Sequence, residues 1–232
     1  MNIKKVVNRL YKLDDAELIT TSKAKIAFMR RDLAELTQFG ISSVELDALD
    51  AQADDFEAFP TDIELEGEQM DVTERKNAKA NAIKEAVAVV LLRAQNKFGH
   101  GSARYKSFAT KNLVNRDDAN LYVGALRVVK RATLYLADLS AQGLTVAELD
   151  ALTTLCEEFK LLLIDHNDMI ADRSIAQEDR VLMGNALYEQ LRKYCRLAKS
   201  QWFSKSEARY NDYIIYKTPS GKHEDEASEV EE

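Results

Sequence analysis

Gly40-Ile41-Ser42-Ser43-Val44-Glu45-Leu46-Asp47-Ala48-Leu49 returns 103 residues later as Gly143-Leu144-Thr145-Val146-Ala147-Glu148-Leu149-Asp150-Ala151-Leu152. Each copy reads as a connector between two helices. The glycine suits the left-handed conformation that ends a helix. Ser42 and Thr145 suit the N-cap of the next one, with Glu45 and Glu148 three residues on completing a capping box. Ile41 with Leu46, and Leu144 with Leu149, are placed to staple the turn. A cluster formed by Glu45, Asp47, Glu148 and Asp150 is the functional alternative to this mechanical reading.

The match extends in both directions. Upstream, Asp14-Asp15-Ala16-Glu17-Leu18 pairs with Asp117-Asp118-Ala119-Asn120-Leu121 at the same offset. Leu33, Ala34, Leu36, Phe56 and Asp62 recur as Leu136, Ala137, Leu139, Phe159 and Asp165. Downstream the offset slips by one, so Asn81-Ala82-Ile83 meets Asn185-Ala186-Leu187. It slips once more, and Ala103-Arg104-Tyr105 meets Ala208-Arg209-Tyr210. Matches kept in order across a chain this long point to a tandem duplication.

Apolar spacings of three and four give each copy three helices. The first helices are expected over 15–38 and 117–141, the former with Ile26, Met29, Leu33 and Leu36 on one stripe. The second carry Leu46, Leu49, Ala53, Phe56 and Phe59, and Val146, Leu149, Leu152, Cys156, Phe159 and Leu163. Pro60 is expected to kink or end its helix. The third helices are expected to open at the Asp71–Glu74 capping box and near Ser174, with Gln177 three residues later. They carry Ile83, Val87, Val90, Leu91, Ala94 and Phe98, and Leu187, Leu191, Tyr194, Ala198 and Trp202. Each copy then ends in an aromatic strap, 103–108 and 208–213. That strap is read either as an irregular or extended plug, or as a pair in which Arg104 and Arg209 reach carboxylates across the two units. The fold expected is all-α, with six main helices packed as two three-helix bundles or one merged up-down bundle. Residues 1–111 form the first unit, 112–219 the second, and 220–232 a disordered acidic tail.

Composition agrees with helices. The 232 residues include only 2 prolines and 8 glycines, and 46% are hydrophobic. No stretch approaches the length of apolar sequence that crosses a bilayer, so no membrane span is expected. No secretory leader is recognised in the first residues. A net charge of −7 argues against nucleic acid as a partner. The charge is segregated. Residues 50–74 hold ten acids and no lysine or arginine, whereas Arg75, Lys76, Lys79, Lys84, Arg93 and Lys97 follow with one acid, Glu85, among them. An acidic helix beside a basic one accounts for this. Cys156 and Cys195 lie in apolar stripes and read as buried free thiols, which fits a reducing, cytoplasmic setting.

Chemistry is not legible. His100, His166 and His223 are far apart, and none sits in a Glu-x-x-His pair, so the ligands of a helical di-metal site are missing. Zinc lacks its Cys/His spacing. No phosphate-binding or nucleophile motif occurs. Gly99-His100-Gly101-Ser102 follows a helix and reads as a turn. No catalytic, cofactor-binding or metal residue is therefore assigned, and no cofactor is expected.

Phe56-Glu57-Ala58-Phe59-Pro60, the twin Gly-to-Leu segments and Tyr210-Asn211-Asp212-Tyr213 together resemble a group of uncharacterised helical proteins from Bacteroidetes-type bacteria. The resemblance covers residues 10–219, implies a bacterial source and carries no activity. The reading favoured is a non-enzymatic helical scaffold or protein-interaction module that takes a protein partner or self-associates as a homo-oligomer. The alternative is a small-molecule- or metal-binding helical bundle, and then an enzyme, built on polar residues such as Asn81, Asn185 and Tyr188.

Overall fold

The computed structural model describes residues 7–108 and 117–216. Both the 111/112 boundary and the acidic tail lie outside them. The described residues contain no strand. Their helices are α1 (Asp15–Arg31), α2 (Leu33–Leu36), α3 (Ser43–Ala58), α4 (Asp62–Phe98), α5 (Ala103–Lys106), α6 (Asp118–Leu134), α7 (Leu136–Leu139), α8 (Val146–Trp202) and α9 (Glu207–Asp212).

The connectors form as the local chemistry dictates. A 3-10 turn follows α2 and ends at Gly40 with φ 76°, and another follows α7 and ends at Gly143 with φ 82°. Glu45 accepts from the Ser42 backbone N–H at 3.0 Å and from the Ser42 hydroxyl. Glu148 accepts from the Thr145 N–H at 2.9 Å, and the Glu148 N–H returns a bond to the Thr145 hydroxyl at 3.2 Å. The first helices are shorter than the stripe suggests. Both break one residue before the apolar run resumes, at Asp32 (φ −99°, ψ 20°) and at Tyr135 (φ −104°, ψ 19°), positions that match in sequence.

The third helices begin elsewhere than expected. α3 ends at Ala58, with Phe59 extended ahead of Pro60, as the clash of a proline ring with the preceding turn requires. Helix α4 then opens at once, because Thr61 and Glu64 form a capping box (Thr61 N–H to Glu64, 2.7 Å). Asp71 and Glu74 therefore lie inside a helix and cap nothing. In the second half the position matching Pro60 is Leu163. No proline interrupts the chain there, and α8 runs unbroken for 57 residues. Ser174 opens no helix; its hydroxyl donates back to the Ile170 carbonyl at 3.0 Å.

That unbroken helix changes the division of the chain. A continuous helix cannot turn back against its own N-terminal part, so its C-terminal part must find other partners. The two compact units are Met1–Pro60 with Ile175–Glu232, and Thr61–Ser174. The sequential division into 1–111 and 112–219 is thus not the division of the contacts. Each sequence half supplies its third helix to the other half's first two.

In the discontinuous unit, α1 buries Leu18, Ile26 and Met29, and α3 buries Leu46, Leu49, Ala53 and Phe56. The C-terminal part of α8 adds Leu187, Leu191, Tyr194, Cys195, Ala198 and Trp202. In the continuous unit, α6 buries Leu121, Ala125, Val128 and Ala132, and α8 buries Leu149, Leu152, Cys156 and Phe159. Helix α4 completes that core with Ile83, Val87, Val90 and Ala94. Phe56 and Phe159 are fully buried, each contributing roughly 2–3 kcal/mol of transfer free energy. Val146, expected on the stripe, is 57% exposed, because it starts α8 beyond the edge of the core. Both cysteines are buried and neither is in a disulfide.

The segregated charge is used within the chain. Basic residues of α4 meet acids of α8: Lys79 with Glu158 at 2.5 Å and Arg93 with Glu148 at 2.8 Å. The acids of α3 face α1 instead, where Lys23 meets Asp50 and Asp54, and Arg30 meets Asp47 and Asp50. Arg173 of α8 forks onto Asp62 (2.7 and 2.9 Å) and reaches Glu66 at 3.2 Å near the start of α4.

Candidate functional site

The densest polar cluster surrounds Asp32. This residue sits at the α1–α2 break, where the turned backbone directs its carboxylate inward, and it is fully buried. Arg31 grips it with two parallel bonds, Nε to Oδ1 at 2.8 Å and a terminal nitrogen to Oδ2 at 2.9 Å. Arg209 of α9 approaches Oδ1 at 3.3 Å. The Tyr213 hydroxyl lies 2.8 Å from Oδ2 and 3.0 Å from the Phe28 carbonyl oxygen. It has one proton, and the charged carboxylate is the stronger acceptor. Around this core, Arg31 also pairs with Asp212 at 3.0 Å, Lys25 donates to the Asp212 carbonyl, and Arg209 stacks 4.3 Å above the Trp202 ring.

Electrostatics follow from the geometry. Burial alone pushes the Asp32 carboxyl up, but the bonds from Arg31 and Tyr213 outweigh it and hold the group below the ordinary carboxylate range. Burial and the neighbouring carboxylate push the Tyr213 phenol well up. Asp32 is thus a permanent anion and Tyr213 a permanent donor at neutral pH. Both carboxylate oxygens are occupied by donors of the chain itself. Such a group neither gives nor takes a proton from a substrate. The cluster latches α9 onto the α1–α2 corner. Among the described residues, the indole N–H of Trp202 and Oδ1 of Asn211 are buried without a hydrogen-bond partner.

The second strap is built differently. Ala103–Lys106 is a short helix capped by Ser102, as Glu207–Asp212 is capped by Ser206. The straps are therefore helical, and the extended alternative is set aside. Their plugging residues are Phe108 and Tyr213, both buried. Arg104 bridges Asp138 at 3.3 Å. Each arginine thus meets a carboxylate from the opposite half of the sequence.

The polar residues singled out for ligand binding do not converge. Asn81 is exposed on α4. Asn185 grips the main chain ahead of α1, accepting from Leu10 N–H at 2.8 Å and donating to the Asn8 carbonyl at 2.9 Å. Tyr188 packs in the core with Tyr11, ring centroids 5.7 Å apart. His100 lies against the Tyr105 ring, His166 is half-buried on α8, and His223 is outside the described residues. Among the described residues no group of three His, Cys, Asp or Glu side chains could hold a metal ion. Burial raises the Cys156 thiol to about 11, which keeps it protonated and unreactive. Nor is any described helix long and apolar enough to cross a membrane.

What the sequence reading missed is the outer face of α6. Val123, Arg127, Lys130 and Leu134 follow one another at spacings of four, three and four, so they lie on one stripe. Val123 is 53% and Leu134 65% exposed. Arg127, Lys130, Arg131, Thr133 and Leu134 line an open recess of about 540 Å³. Among the described residues, none of these three cations forms an ion pair, whereas the α1 cations Lys23, Arg30 and Arg31 all do. The signal was present in the sequence, since no acid occurs between Ala119 and Ala137. Comparison with protein-family models, with curated proteins and with solved structures gives no match.

Proposed function

We propose that this chain is a non-enzymatic helical interaction module that receives an acidic protein segment on the outer face of α6. The observation that carries the reading is a stripe with exposed aliphatic residues at both ends and, between and beside them, three cations that form no ion pair among the described residues. On a chain of net charge −7, an isolated basic face is a place where an acidic partner is attracted and oriented. The aliphatic ends supply apolar contact at the ends of such a helix-sized footprint.

The scaffold behind this face is, in our reading, a duplicated three-helix unit whose copies exchange third helices. Ten positions at the single offset of 103, from Leu18 and Leu121 to Phe56 and Phe159, are buried in both halves. Two buried cysteines outside any disulfide suit the cytoplasm, where we place the protein.

The module reading is tested with a synthetic helical peptide carrying a Leu/Ile stripe flanked by glutamates. Titrated into isotopically labelled protein at low salt, it should move amide resonances of residues 123–134. The Arg127→Glu/Lys130→Glu/Arg131→Glu variant should lose the response. A peptide that perturbs no α6 amide would overturn the proposal.

A further inference from the structure

We infer that the segment received by α6 is the N-terminal stripe of α4 in a second copy of this chain. This rests on the reading of α6 as a docking face and names its occupant.

Ile63, Gly67, Met70 and Glu74 follow one another at spacings of four, three and four, the same spacing as Val123, Arg127, Lys130 and Leu134 on α6. Ile63 is 82% exposed and Met70 62% exposed. These are large apolar side chains on a helix that is otherwise acidic here. Gly67 has open space where a Cβ would be, so a long cationic side chain can lie across it. Glu68, Asp71 and Glu74 are exposed along the stripe, and among the described residues they form no ion pair. The acids on the adjoining flank, Asp62 and Glu66, are engaged by Arg173. Glu74 lies on the apolar stripe itself, and Glu68 and Asp71 lie on the row beside it.

Several other charged residues are matched inside the chain. Acids of α3 pair with α1, and acids of α8 pair with α4. The acidic–apolar stripe of α4 and the basic–apolar stripe of α6 are complementary in charge, and both lie on the Thr61–Ser174 unit. Helices α4 and α6 already share that unit's core through other faces. The two stripes stay exposed together in one molecule and meet only between molecules. The contact is heterologous: each copy that docks its α4 leaves its own α6 open, so assembly continues until a ring closes. A single helix-on-helix contact falls at the small end of protein interfaces, so the association is weak. Its charged pairs are solvent-exposed and sensitive to salt.

Sedimentation velocity over a range of protein concentrations tests this on the full chain. At about 30 mM salt the wild type should associate, with apparent affinity at least about tenfold weaker at about 500 mM. Arg127→Glu/Lys130→Glu/Arg131→Glu and Glu68→Lys/Asp71→Lys/Glu74→Lys should each be monomeric while keeping wild-type circular dichroism. Mixed in equal amounts, the two variants should regain wild-type association with the copies alternating, because the unaltered α4 of one meets the unaltered α6 of the other and the two reversed faces attract in the same way. A wild type that stays monomeric at low salt yet binds the acidic peptide on α6 overturns the self-docking inference and leaves the module reading standing. Failure of both measurements removes both. Association that neither triple variant disturbs also overturns it.

Discussion

Ala-Arg-Tyr occurs at residues 103–105 and 208–210, and the two copies close their cores with different chemistry. In the discontinuous unit, Arg209 reaches a fully buried carboxylate, Asp32, that also takes the Tyr213 hydroxyl. In the continuous unit, Tyr135 stands where Asp32 does and Phe108 where Tyr213 does. The buried carboxylate is replaced there by rings: Phe98 and Tyr135 have centroids 5.3 Å apart, and Phe108 and Tyr135 6.2 Å apart. Arg104 lies over both Phe98 and Tyr135 and bridges Asp138, whose side chain is 42% exposed. The arginine is the fixed part and the buried slot is interchangeable. The hydroxyl at 213 occurs with the carboxylate at 32, and where one is absent so is the other. A buried charge needs all its donors together, whereas an aromatic slot needs only shape.

The widest gap between the two closures is expected on removing the carboxylates. Asp32→Ala removes the buried carboxylate on which Arg31, Arg209 and Tyr213 converge, and should lower unfolding free energy by about 2–3 kcal/mol. Asp138→Ala should cost under about 1 kcal/mol. Urea unfolding of both variants measures this, and equal losses would break the contrast. The same experiment has a pH signature. The Asp32 carboxyl is held low in the folded state, so its contribution is complete above the ordinary carboxylate range, near ~3.9. It is lost as pH falls through the depressed folded value. The gap between wild type and Asp32→Asn should therefore narrow in acid and stay constant from about pH 5 to 8.

A smaller effect sharpens the comparison of the two third helices. Gly184 matches Ala80, yet a Cβ added at Gly184 would fall on the Tyr11 hydroxyl. Gly184→Ala should destabilise by about 1–3 kcal/mol despite the better helix propensity of alanine. A thermal melt that rises instead would show that Tyr11 moves aside freely. The smallest change is Tyr213→Phe, the residue type found at 108. It removes one donor from Asp32 and should cost about 1 kcal/mol. Combined with Asp32→Tyr, it should lose less than the two single losses added, since the pair then copies Tyr135 and Phe108. Strict additivity in calorimetry would dismiss the idea of two interchangeable closures.

Much of the local structure was legible. The left-handed glycines, the Ser42 and Thr145 caps, the aliphatic stripes and the stop at Pro60 all depend on neighbours a few residues away. The start of α4 was misplaced because Thr61-x-x-Glu64 and Asp71-x-x-Glu74 are equally good local signals. Only the proline just upstream decides between them. The length of α8 was missed for the converse reason: Ser174 can cap a helix or bond back within one, and nothing local breaks the chain. Asp32 gave no sign of burial, since its partners Arg209 and Tyr213 lie more than 170 residues away. The α6 face was legible as a run without acids, but its lack of ion pairs is a property of packing.

The discontinuous make-up of one unit also sets an order of events during synthesis. Residues Thr61–Ser174 form one uninterrupted unit and can close as soon as they have left the ribosome. Helices α1 and α3 emerge earlier but lack the third side of their core until Ile175–Trp202 has been made. For more than a hundred residues of translation, Leu18, Ile26, Leu46 and Phe56 have only each other for shelter. Of the two units, the one whose synthesis begins first is the last to be finished, and it is there that a chaperone would find exposed apolar surface.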